Sequence, residues 1–140
     1  MRNETTVTVT ARPESVWEVL TDVESWPQLT PSMTSVRKLD PGPLRTGMRV
    51  RIRQPKLPPA LWTVTEFVEG ERFVWVAKGM GFRTTAGHDV STADGSTRLR
   101  LTVELSGPLA GIAHRLLDDL TDRYIALEAA GIKGRAEGSA

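Results

Sequence analysis

The chain has 140 residues, 18 of them basic and 17 acidic, and 39% of it is hydrophobic. That length fits one domain of ordinary globular composition, with no room for a second core. The absence of cysteine excludes disulfides, thiolate metal sites, iron–sulfur ligation and cysteine nucleophiles. Two histidines, His88 and His114, exclude a histidine-rich metal site, and a net charge of +1 argues against a general nucleic-acid binder. The opening MRNETTVTV lacks the apolar stretch of a signal peptide, and no run approaches the roughly 18 apolar residues of a membrane span, so the expectation is a cytoplasmic protein.

Residues 5–11 alternate threonine and valine, the period of a β-strand with one buried face. Pro13 suits the first position of a helix and Glu14 its first turn; Val16, Trp17 and Leu20 then recur at helical spacing over 13–22. A second short helix holds Val23–Trp26 before Pro27. Strands follow from residue 33, broken by Asp40-Pro41-Gly42-Pro43 and by Pro55, Pro58 and Pro59. The clearest is Gly47–Arg53, where Met48, Val50 and Ile52 alternate with Arg49, Arg51 and Arg53. Leu61–Val68, Phe73–Ala77 and Phe82–Thr92 come next. Asp94-Gly95 is a hairpin signal, and after it Leu99, Leu101, Val103 and Leu105 alternate with polar residues. That makes about seven strands, mostly antiparallel. Gly107-Pro108 opens a helix of about 20 residues; one face holds Leu109, Ile112, Ala113, Leu116, Leu117, Leu120, Tyr124 and Leu127, and Gly131 is expected to end it. The expected domain is residues 1–132, with 133–140 a disordered tail.

One long amphipathic helix on an antiparallel sheet must cover the sheet's apolar face, and the sheet must curl around it. The sequence resembles the START-like (SRPBCC) helix-grip superfamily, in its polyketide cyclase/dehydrase and lipid-transport group. The resemblance rests on Ala11-Arg12-Pro13-Glu14-Ser15-Val16-Trp17, Leu20-Thr21-Asp22, Trp26-Pro27, Gly47, Trp62-Thr63-Val64-Thr65-Glu66, His88 before Asp94-Gly95-Ser96-Thr97, and Gly107-Pro108-Leu109. It spans about residues 4–130. It implies an α+β helix-grip fold: a curved antiparallel sheet around a long C-terminal helix, two short helices after the first strand, and a deep apolar cavity beneath the long helix. It maps no catalytic set onto this chain.

The residues expected to line that cavity are Trp26, Met48, Val50, Ile52, Trp62, Phe73, Trp75, Phe82, His88, Val90, Leu101, Val103, Leu116, Leu120 and Tyr124. The resemblance puts Trp26 near the cavity entrance. His88 shares a strand face with Phe82, Ala86 and Val90, and is read either as an acid or base in an apolar cavity or as a structural histidine bonded to a neighbour. His114 is read as facing solvent. Trp17 is core; Trp62 and Trp75 are wall or core. Tyr124, the one tyrosine, needs a partner for its hydroxyl or a wet cavity. Arg49, Arg51 and Arg53 form either a solvated outer face or a patch for an acidic partner. No dinucleotide fingerprint, Walker loop, nucleophile elbow or His-Glu-x-x-His motif is present, so no cofactor or metal is expected.

Two functions fit. One is a binding module for a hydrophobic small molecule, lipid-like or polycyclic. The other is a polyketide aromatase/cyclase that holds a reactive poly-ketone for intramolecular aldol closure, largely by orientation in a dry cavity. The few titratable groups expected inside, His88 and Tyr124, favour binding without chemistry.

Overall fold

The alternating Thr/Val segment forms β1 (Arg2–Val9), at one edge of a seven-stranded sheet in a computed structural model that describes residues 2–138. Pro13 starts α1 (Pro13–Thr21), whose Val16, Trp17 and Leu20 are buried. A single 3-10 turn (Val23–Ser25) and the one-turn α2 (Trp26–Leu29) lead into β2 (Ser35–Lys38). The remaining strands are β3 (Arg49–Arg53), β4 (Ala60–Val68), β5 (Arg72–Lys78), β6 (Arg83–Ala93) and β7 (Ser96–Ser106). The order is β1-β7-β6-β5-β4-β3-β2, every neighbour antiparallel. Asp94 and Gly95 both take positive φ in the β6–β7 hairpin, as the Asp-Gly pair requires.

Alternation sorts the sheet into an outer face and a concave face beneath α3 (Ala110–Gly138). Val50 and Ile52 point inward while Arg49, Arg51 and Arg53 are exposed. A bulge between Val64 and Glu66 resets the phase of β4: Trp62 and Val64 pair with Ala77 and Trp75, and past the bulge Phe67 meets Phe73 while Glu66 turns outward. Gly87 is not bulged; it keeps register between Val74 and Thr102.

The long helix departs from expectation in two ways. It continues through Gly138, so neither Gly131 nor the polar composition after Ile132 stops it. Ile132 and Ala136 enter the core, Lys133 Nζ donates to the Thr8 carbonyl at 2.6 Å and to Glu137 at 2.7 Å, and the Thr10 amide donates to Glu137. These bonds to the start of the chain hold residues 133–138 helical; Ser139 and Ala140 of the expected tail lie outside the described residues.

The second departure is the face. Leu109, Ile112 and Leu116 are not packed on the sheet; Ile112 is 60% and Leu116 77% exposed. The first half of α3 lies on the sheet through the small residues Ala110 and Ala113, and the Asn3 side chain donates to both Asp118 and Asp122 at 2.7 Å. Asn3 thus fixes the helix rotation from outside the helix. Leu116→Asp, drastic if the leucine were core, should change stability by less than about 0.5 kcal/mol. A thermal melt checks this; a large loss would return Leu116 to the core.

Candidate functional site

The concave face splits into two regions. Toward the α1 end it is a filled aromatic core. Phe73 is fully buried, and Trp26 and Trp75 are nearly so. Ring centroids stand 5.4 Å apart for Trp26–Trp75 and 5.2 Å for Phe73–Trp75, both edge-to-face. Met48, Val50, Ile52, Val90 and Leu101 are buried around them. Trp26 therefore lies deep, its Nε1 donating to the Leu20 carbonyl at 3.2 Å, and not at an entrance. Trp17 is core, as read, and donates to Glu69 at 3.1 Å.

The deep cavity implied by the resemblance is closed in this region, because these large rings occupy it. Two surface hollows, of 230 and 500 Å³, lie on the outer sheet face around Gly87 and beside α1 near Glu69; neither lies between α3 and the sheet.

Toward the opposite end the concave face is only half covered. Trp62, Phe82, Val103 and Leu120 are half-buried there. Trp62 stands 6.0 Å from Trp75 and continues its aromatic wall. Its indole Nε1–H is buried without an acceptor among the described residues; Arg100 Nε and His114 Nδ1 share that condition elsewhere. His114 is therefore half-buried against Asp118, 3.6 Å away, and not free in solvent. Tyr124 is buried and donates its hydroxyl to the Pro55 carbonyl, tying α3 to the β3–β4 loop.

His88 sits on the floor of the core, opposite Phe73 in register and stacked on it at 4.1 Å. It is diagonal to Trp75, with ring centroids 5.2 Å apart. Its Nδ1 is 3.1 Å from the Phe73 carbonyl. A carbonyl only accepts, so Nδ1 carries the proton and Nε2 is left as an acceptor. Burial lowers its pKa to about 4, outweighing the bond to Phe73, so the ring is neutral near pH 7.

Sequence reasoning missed Glu128. It follows Tyr124 by one turn on the inner face of α3, precedes Ile132 by another, and is buried. None of the described hydrogen bonds or ion pairs reaches its carboxylate, and burial alone raises its pKa to about 8. The signal was present: positions 124, 128 and 132 share one helix face. Reading glutamate as a surface residue hid it. The interior thus holds a neutral imidazole, a carboxyl that is protonated near pH 7, and an indole N–H without a partner.

The sequence profile described as polyketide cyclase/dehydrase and lipid transport matches residues 2–137. The chain belongs to this family. Among solved structures, an aromatase/cyclase from a Streptomyces species superposes with a TM-score of 0.78 at 23% identity, covering 98% of this chain and 93% of that one. A Thermus thermophilus protein gives 0.79 at 16% identity, covering 100% and 99%. A START superfamily protein from Mycobacterium smegmatis gives 0.73 at 18% identity, covering 99% of each. At these identities the structural likeness establishes the helix-grip fold of the family member, and no more. No curated protein matches the chain. Among the described residues no helix is long and apolar enough to cross a membrane.

Proposed function

We propose that this family member binds a flat, hydrophobic small molecule on the half-covered part of the concave face, beside the first half of α3 and against Trp62. The observation that carries this reading is the indole N–H of Trp62, buried without an acceptor. Native structures satisfy nearly all buried donors, and an orphan costs about 1–3 kcal/mol. A carbonyl or hydroxyl oxygen on a ligand would satisfy it, while Phe82, Val103 and Leu120 supply apolar contact. Access requires the Tyr124–Pro55 contact to open or the ligand to enter from the uncovered end.

An apolar naphthalene dye should gain fluorescence with the native protein at near-stoichiometric ratio. Trp62→Phe should weaken a carbonyl-bearing ligand by about 1 kcal/mol, the worth of one hydrogen bond, and spare its hydrocarbon analogue. Equal losses for both would show that Trp62 acts only through shape. No dye signal would sink the binding reading, and so would a signal that Leu116→Ser abolishes, since the dye would then sit on the exposed leucines.

The cyclase reading draws support from Glu128 and His88. A protonated carboxyl and a neutral imidazole are an acid and a base of the kind that enolisation and aldol closure need. Both would have to face the bound poly-ketone. In this reading Glu128→Gln abolishes cyclisation of a linear poly-ketone while ligand affinity stays; in the binding reading neither changes, because the protein does no chemistry.

A further inference from the structure

One end of the molecule carries an exposed apolar crest. Met80, at the tip of the β5–β6 hairpin, is 90% exposed. Leu109 packs beside that hairpin: its amide donates to the Gly81 carbonyl at 2.8 Å, and a Cβ at Gly81 would lie 2.5 Å from its Cδ1. Ile112 and Leu116 extend the crest along the next two turns of α3. Leu109, Ile112 and Leu116 belong to the leucine face that the sequence assigned to the core; Leu109 leans on the hairpin, while Ile112 and Leu116 stay mostly exposed.

The same end is basic. β3, β5 and β7 finish here and β4 and β6 begin, so Arg53, Lys56, Lys78 and Arg83 gather around the crest, with Arg115 on α3. Lys78 and Arg83 are directly opposite in register, a pairing of like charges that weakens a sheet. All five cations are exposed, and none joins an ion pair among the described residues. The acids at this end are Glu104, Asp118, Asp119 and Asp122; Asp118 is engaged by Asn3 and His114, and Asp122 by Asn3. The other end mixes the two signs, with Glu14, Glu18, Glu69, Glu71, Asp94 and Glu137 beside Arg12, Arg72, Arg98, Lys133 and Arg135.

The geometry points to peripheral docking of this end on an anionic lipid surface, with Met80, Leu109, Ile112 and Leu116 in the headgroup boundary and the cations on lipid phosphates. Exposed large apolar side chains ringed by Lys and Arg are the signature of interfacial binding, in which burial holds the protein and charge selects the surface. A soluble acidic protein would answer the charge but would leave the protruding Met80 unburied unless it carried a matching socket. Ligand binding against Trp62 is not required for this docking, since the crest residues are on the outer side of α3 and the hairpin tip.

Vesicle co-sedimentation of the full chain tests it. The protein should pellet with phosphatidylcholine vesicles containing roughly 30 mol % phosphatidylglycerol, much less with phosphatidylcholine alone, and less as salt rises. Combined Met80→Ser and Leu116→Ser, at positions too exposed to matter to the fold, should weaken binding at least about tenfold. Lys78→Glu with Arg83→Glu should remove the preference for anionic vesicles, and Arg98→Glu at the far end should change nothing. Failure of the wild type to pellet with the anionic vesicles overturns the proposal, as does binding that the double serine variant retains. So does a dimer in light scattering that this variant converts to monomer, since a second copy would then cover the crest.

Discussion

Replacing Glu128 with glutamine should stabilise the protein, and by more as the pH rises. Burial disfavours the charged form and pushes the carboxyl from its ordinary 4.5 up to about 8. Below about pH 4.5 it is protonated folded or unfolded and its titration costs nothing. Between 4.5 and 8 the folded state holds a proton that the unfolded state has released, so stability falls with rising pH. The stability difference between variant and wild type should therefore grow by roughly 4 kcal/mol between about pH 5 and about pH 9, on the order of 10 °C in Tm. His88 acts with the opposite sign. Its pKa is lowered from 6.5 to about 4 by burial, so its contribution is complete above pH 6.5 and is lost as pH falls through 4. His88→Gln carries a constant penalty for the lost stacking on Phe73, but should remove roughly 3 kcal/mol of the acid-side loss. The wild type should be most stable in mildly acidic solution, between the two flanks. Melts of the three proteins across that range decide it. A Glu128→Gln curve parallel to the wild type would mean that the carboxylate is solvated in the fold.

The strands were legible because each buries one face. Thr/Val in β1, Val50 and Ile52 among arginines in β3, and Leu99 and Leu101 in β7 all carry the period of two, and all face α3 as read. The bulge in β4 was not legible, since Thr65 has nothing in its composition to mark it; it explains why Trp62 and Phe67, five apart, both face inward. In α3 the period was right and the choice of face was half wrong. Leucine content pointed one way, while the bonds from Asn3 to Asp118 and Asp122, 115 and 119 residues apart in sequence, turned the helix so that alanines met the sheet. No local pattern encodes a contact of that separation. The aromatic residues were found, but their density was read as cavity wall, whereas Trp26 and Phe73 pack edge-to-face on Trp75 and fill the space that they would have enclosed.

Gly131 marks the same limit, and its substitution should separate intrinsic preference from packing. Glycine near an apparent helix end reads as a terminator. The structure keeps it mid-helix, where alanine would be favoured by up to about 1 kcal/mol. Here, however, a Cβ would lie 2.3 Å from the Leu29 carbonyl oxygen and 2.9 Å from its carbon, both backbone atoms of α2. No rotamer relieves that overlap; α2 or α3 must move. Overpacking of this kind costs about 1–3 kcal/mol and exceeds the helix gain, so Gly131→Ala should destabilise. Gly134 is three residues on and exposed, and a Cβ added there would meet nothing within 4 Å. Gly134→Ala should therefore stabilise, by up to about 1 kcal/mol. Denaturant titrations of the two variants should move in opposite directions. A gain at both positions would show that α2 yields freely to α3, and that Trp26, carried on α2, is not held where the aromatic core needs it.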